Sequence, residues 1–327
     1  MIDFLQQQAN MIFLQAIGRL FLTCCIGYLA VRLRLLPAGT IWCLSTFVIA
    51  IALPSLILST LARELHYELL PEMVRCLATG VLLNGLGLAL ALAARRLFLP
   101  ASQPGRRPFL SLAALQNSGY LPIPLTAAIL PPDQQATGLL LVFIYIFVMG
   151  FIFWSLGVRL IARPQSFNGL AANLRQVANP PLIAMLVGLF FLIPPVHAGY
   201  ARLTLLQEGL AALGSTTIPL VLIILGGSFA TITGTTSGRR IVTLAAAIKL
   251  VVIPSLTLTM VLLLAPERIF AFALILQAAM PAAMNHIVVA QEYDGDVALA
   301  SRALFVQYLL SVITVPVFLL LYNWLYL

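Results

Sequence analysis

The chain has 327 residues, of which 61% are hydrophobic and 9% charged, with a mean hydropathy of +1.05. A soluble domain is excluded by that composition, because apolar runs long enough to cross a bilayer follow one another from Met11 onward. The formal net charge of +8 would suggest nucleic acid for a soluble protein; here the arginines sit in short loops between apolar runs, where they set membrane orientation, and no nucleic-acid partner is expected.

At about 20 residues per crossing, the sequence predicts ten spans, near 11–31, 41–62, 71–98, 109–130, 136–161, 180–195, 204–231, 240–264, 268–291 and 298–325. The first run is preceded by Asp3 and by no Lys or Arg, which is unlike a secretory signal, so it reads as a retained helix. Cys24, Cys25, Cys43 and Cys76 lack CxxC spacing and read as packing residues; no disulfide, metal site or bound cofactor is expected. Loops after odd-numbered spans carry Arg32, Arg34, Arg95, Arg96, Arg106, Arg107, Arg159, Arg163, Arg175, Arg239, Arg240 and Arg302, against Arg63, Arg75, Arg202 and Arg268 after even-numbered ones. The positive-inside rule then puts the odd loops in the cytoplasm and both termini outside it.

In the second span Pro54, in IALPSLILS, reads as a kink. The fourth span contains QNSGYLPIPL, where Pro122 and Pro124 follow Gly119 and predict an unwound stretch near mid-membrane. A polar, basic segment at 163–179 reads as a short cytoplasmic linker between two five-helix repeats, 1–162 and 180–327. An odd number of helices per repeat inverts the second relative to the first. Pro219 of TTIPLVLII lies 165 positions after Pro54, and Pro281 lies 159 after Pro122, in keeping with such a duplication. In the eighth span Lys249 lies about 15 Å beyond the loop residue Arg239, too deep to snorkel; Pro254 there and Pro316 in the tenth span read as kinks. The ninth span holds LQAAMPAAMNHIVVA, broken at Pro281.

Paired broken helices at matching positions are the sequence mark of a secondary transporter's binding site. The two breaks fall at one depth, so half-helix N-termini after Pro124 and Pro281 are expected to offer N–H groups to an anion. Asn117 and Asn285 add amide donors, as do Gln116 and Gln277; the alternative for each is an interhelical hydrogen bond. Ionisable residues in the bilayer are costly and hence functional candidates: Lys249 for charge compensation or proton coupling, and His286 for titration near neutral pH or for helix packing. Arg19 and Glu208 lie close enough to span ends to reach an interface. No Asp or Glu lies at mid-membrane, which favours an anionic substrate over a coupled cation.

Three blocks, QNSGYLPIPL, IPLVLIILGGSFA (Ile218 to Ala230) and MPAAMNHIVVAQEYDGDVALAS (Met280 to Ser301), resemble the auxin efflux carrier family of plant PIN-type carriers and bacterial malate or malonate permeases. The resemblance covers nearly the whole chain. It implies an all-α membrane fold in which helices 4 and 9 cross at their breaks, an elevator-like motion of a transport domain against helices 1, 2, 6 and 7, and a dimer as one assembly. It implies Asn117 and Asn285 as crossing asparagines, and Pro124 and Pro281 as crossing prolines. The usual helix-4 pattern resembles Asn-x-Gly-Asn-x-Gly-x-Pro; here Tyr120 replaces the second asparagine and Pro122 the second glycine, so Gly119, Tyr120 and Pro122 are expected to shape the pocket. The short linker points to a bacterial inner-membrane protein.

These readings converge on a secondary carrier of small organic anions such as malate, malonate or auxin-like acids. A sodium-coupled organic-anion symporter is the alternative; a non-transporting sensor or a membrane enzyme is more remote. His286, Glu292, Asp294 and Asp296 are close in sequence, but the three carboxylates belong to a wet turn, and no HExxH or GxSxG motif is present.

Overall fold

The computed structural model describes residues 2–163, 178–231 and 238–326; Arg175 and most of the expected linker lie outside the described residues. Every regular element among them is helical, and the single β-type contact is an isolated antiparallel bridge between Gln116 and Ala282. α1 (Ile2–Arg32) is followed by α2 (Ala38–Phe47) and α3 (Leu53–Glu64), which form one span through a π-helical turn at Val48–Ala52. After α4 (Leu70–Phe98), α5 (Pro108–Ala114) and α6 (Pro122–Ile129) are halves of a broken span. α7 (Pro132–Ile152) continues through a second π turn, Phe153–Gly157, into α8 (Val158–Ile161). α9 (Pro180–Gly188) bends by 105° into α10 (Pro194–Ala201). α11 (Thr204–Ser215) and α12 (Thr217–Thr231) follow, then α13 (Arg239–Ala247) and α14 (Ile253–Leu264), joined by a third π turn at Ile248–Val252. α15 (Arg268–Ala279) and α16 (Asn285–Glu292) form the second broken span, and α17 (Val297–Tyr326) closes the chain. Among the described residues, six stretches are long and apolar enough to cross a membrane unbroken.

Prolines account for most of the irregularity. Pro54 and Pro254 each stand second in the helix that follows a π turn. Neither can donate to the carbonyl four residues before it, and a wider turn relieves the ring's clash with that carbonyl. Pro122 and Pro124 behave differently from the sequence expectation: both lie in the first turn of α6, where a missing N–H is harmless, and the unwound stretch is 115–121. The second half of the other broken span likewise starts at Asn285 rather than directly after Pro281, which sits in the extended stretch. The helix expected as the sixth span ends near Leu192, since Pro194 and Pro195 cannot continue it, and the one expected as the seventh carries a turn at Thr216 yet is one of the six continuous stretches.

Two groups of helices face each other. In one, α1 and α12 approach so closely that a Cβ on Gly27 would stand 2.3 Å from the Ile223 carbonyl oxygen, and one on Gly226 1.8 Å from that of Cys24. Only glycine fits at either place. α3 packs against α9 and α11 in the same group. The other group is built from α4, α5, α7 and α13 to α17, with a core that includes Phe143, Tyr145 and Leu276.

Most arginine-rich loops meet at one end of the bundle. An Arg107 guanidinium donates to the Arg159 carbonyl, Arg163 N donates to Tyr293 O at 3.1 Å, and Leu299 lies against both Gly105 and Gly238. At the other end Tyr322, near the C-terminus, donates its hydroxyl proton to Arg268 O at 2.5 Å, and His197 Nε2 lies 3.0 Å from Ala62 O. Arg19 and Glu208 are exposed on their helices, and the four cysteines are free thiols.

Candidate functional site

The two unwound stretches pair by backbone. Asn117 N donates to Pro281 O at 2.7 Å and Ala283 N to Leu115 O at 3.1 Å, so groups released from the helices satisfy one another away from water. Side chains complete the clamp. Gln307 of α17 donates from Nε2 to Leu112 O at 3.0 Å and accepts from Ala282 N through Oε1 at 2.8 Å, so one residue binds both broken spans. Gln277 Nε2 donates to Ser118 O at 3.2 Å. Asn117 Oδ1 accepts from Gly119 N at 3.1 Å and Tyr120 N at 2.9 Å, while its Nδ2 donates to the Tyr308 hydroxyl at 2.6 Å.

A cavity of about 160 Å³ lies against this crossing. Residues 116–120 of one break and 283–285 of the other form one wall; Phe143, Phe147, Phe153 and Trp154 make much of the facing surface, which α3, α9 and α12 complete. Gln116 is 1% exposed, yet neither its Nε2 nor its Oε1 has a hydrogen-bond partner, and the buried Ser118 Oγ has none either. Those groups give the cavity hydrogen-bonding capacity that the fold does not use. No Asp, Glu, Lys, Arg or His is among the described lining residues.

Of the residues expected at the site, Asn117, Gly119, Tyr120 and Asn285 line the cavity, whereas Pro122, Pro124, Gln277, Pro281, Lys249 and His286 do not. Pro281 contributes a carbonyl to the bridge. The Tyr120 ring packs with Ile41, Val48, Val221 and Ile224, and its hydroxyl meets Ser45, so Tyr120 joins the unwound stretch to α2 and α12. Lys249 is fully buried in the third π turn, which packs against α4, α5, α15 and α17; its Nζ has no hydrogen-bond partner among the described residues. His286 sits edge-on to Phe153 with centroids 5.2 Å apart, its Nδ1 2.7 Å from Ala283 O and the Ser111 carbonyl beside the ring.

The half-helix N-termini offer less to an anion than their sequence suggests. Pro122 and Pro124 have no N–H, and Ile123 N is donated to Gly119 O at 3.0 Å. His286 N and Ile287 N are donated to Ala283 O and Met284 O, each at 3.2 Å. Side-chain amides of Gln116, Asn117 and Asn285 therefore add to the N–H groups of the breaks as donors. Sequence reasoning missed Ser118, Asn179, Gln307 and Tyr308. Asn179 lines the cavity and caps α9, accepting from Leu182 N at 3.1 Å; the Asn-Pro-Pro that carries it is a helix-start signal.

The chain matches the family model described as "Membrane transport protein" twice, over residues 12–169 and 167–319. It is also 31% identical over 297 residues to an "Uncharacterized transporter" of Methanothermobacter thermautotrophicus (strain Delta H), an alignment covering 89% of this chain and 92% of that protein.

Proposed function

The chain belongs to this membrane transport protein family, the auxin efflux carrier family, and from that premise we propose that it is a secondary transporter of small organic anions working by alternating access. The observation that carries the reading is Gln116: a buried amide with both polar atoms unpartnered, in the wall of a cavity against two crossing helix breaks.

In this reading ten spans form two inverted five-helix repeats, which the double match of the family model supports. The arginine-rich end faces the cytoplasm and both termini lie outside it, in the plasma membrane. The group containing α5, α6, α15 and α16 moves, elevator-like, against α1 to α3 and α9 to α12, carrying the crossing from one side to the other. A substrate carboxylate accepts from Gln116 Nε2, the Ser118 hydroxyl, Asn285 and the remaining N–H of Asn117. The aromatic wall takes an apolar body. With no cation among the described lining residues, a monocarboxylate of that kind fits better than malate or malonate, whose second charge would be buried without a partner. Lys249, buried outside the cavity among the helices that carry the breaks, serves charge compensation during the movement rather than substrate contact.

The test is counterflow of labelled mono- and dicarboxylates in liposomes holding purified protein. Exchange of an aromatic monocarboxylate, abolished by Gln116→Leu at equal protein density, is the expected result. Failure of every carboxylate to exchange through folded protein would overturn the reading.

A further inference from the structure

A second cavity, of about 340 Å³, lies between α1 and α12 on one side and the start of α6 with α17 on the other. Its wall is almost wholly apolar, with Phe21, Leu225, Phe229, Leu309 and Val312 among the lining residues. The polar atoms deep in that wall are occupied: the Tyr308 hydroxyl accepts from Asn117, and Ser311 Oγ donates to Tyr308 O at 2.7 Å. Phe305 and Leu309 are also exposed on the outside of α17, so the cavity opens sideways toward lipid rather than toward water.

Its dimensions match one leaflet. From Phe305 to Pro316 the cavity follows α17 for about 16 Å, close to half of a hydrocarbon core of about 30 Å. Arg302 lies one turn before Phe305, and it stands about 30 Å along α17 from Tyr322, whose hydroxyl bonds the carbonyl of Arg268, the first residue of α15, at the far end. That spacing sets Arg302 at the interface on the arginine-rich side. Arg32, exposed, lies one turn beyond Tyr28 at the same mouth.

We infer that this cavity holds one acyl chain of an anionic phospholipid from the leaflet on the arginine-rich side, with the headgroup at Arg32. The chain lies along the Tyr308 ring, which packs against Phe229 with centroids 5.1 Å apart and whose hydroxyl holds Asn117. The lipid thus fills the seam between the two helix groups and supports the crossing from behind.

The test uses the full chain in nanodiscs containing phosphatidylglycerol or phosphatidylcholine, each with the same diazirine-bearing acyl chain, followed by photolysis and peptide mapping. Labels are expected to concentrate on 20–28 and 305–316. Phosphatidylglycerol should exceed phosphatidylcholine there by about fivefold, the ratio given by roughly 1 kcal/mol per basic residue near the surface. Arg32→Gln should bring the two lipids together, and Val312→Trp should abolish labelling in the cavity while leaving other labelled faces unchanged. Leu309→Trp, at a more exposed position, replaces Val312→Trp if the latter does not fold. Labelling spread evenly over the helix faces, insensitive to either tryptophan, or equal for the two lipids in the parent would overturn the inference.

Discussion

The Asn117 side chain donates to the Tyr308 hydroxyl over 2.6 Å, tying the unwound part of one broken span to the middle of the last helix. The same side chain accepts from Gly119 N and Tyr120 N. Asn117 is therefore first a brace of the break and only with its last N–H a donor to the cavity, whereas its neighbour Gln116 holds nothing in the fold.

Asn117→Ala should accordingly lose stability as well as transport. Three hydrogen bonds are removed and a buried hydroxyl is orphaned, a cost on the order of 2–4 kcal/mol. Tyr308→Phe removes one of those bonds and should cost about 1 kcal/mol. Thermal unfolding of the two variants beside the parent checks this; an unchanged melting temperature for Asn117→Ala would show that the amide does not brace the break.

Gln116→Leu should separate binding from folding in the opposite way. Both amide atoms are unpartnered in the fold, so an apolar side chain of similar size should leave stability equal or slightly raised. Loss of a donor to a carboxylate should weaken substrate binding by about 1.5–3 kcal/mol, or roughly 10- to 100-fold. Ligand-induced thermal shift and counterflow on one preparation measure both effects. A variant that melts early yet still exchanges substrate would reverse the assignment.

The contrast between these neighbours marks how far the sequence could be read. Paired breaks were legible because Pro122, Pro124 and Pro281 cannot sit deep in a helix, and the arginine asymmetry was legible because loop charge is a one-dimensional signal. Which amide turns inward was not, since Gln116 and Asn117 are adjacent and their roles depend on the backbone after the helix unwinds. Gln307 was missed for a similar reason. It lies in an apolar stretch of α17 without a break, and its partners, Leu112 and Ala282, are far away in sequence and use only backbone atoms. Asn179 reads as the last linker residue before a span starting at 180, and the helix does start at Pro180; that its side chain caps α9 and lines the cavity depends on the fold.

Gln307→Leu should be among the most damaging single changes in α17. It leaves the buried Leu112 carbonyl and the buried Ala282 N–H unpaired, at about 1–3 kcal/mol each. Gln307→Glu keeps an acceptor, and a donor only as the neutral acid, so its loss should be intermediate. Melting temperatures in the order parent, Glu, Leu are expected, and a leucine variant as stable as the parent would remove the clamp.

At Lys249 stability and function should move in opposite directions. Its side chain is fully buried, its Nζ has no hydrogen-bond partner among the described residues, and it does not line the cavity. An unpaired polar group in such a place costs on the order of 1–3 kcal/mol when neutral and more when charged. Lys249→Met keeps the length and removes the group, so it should raise the melting temperature. Lys249→Arg forces a larger, planar head into a packed turn and should lower it. Substrate affinity should change little in the methionine variant, since no substrate contact is lost, but turnover should fall because the buried charge no longer accompanies the movement of the broken helices. Affinity by thermal shift and turnover by counterflow, measured on the same variant, decide the matter: a parallel loss of both would bring Lys249 into substrate contact, and unchanged turnover would make it a packing residue alone.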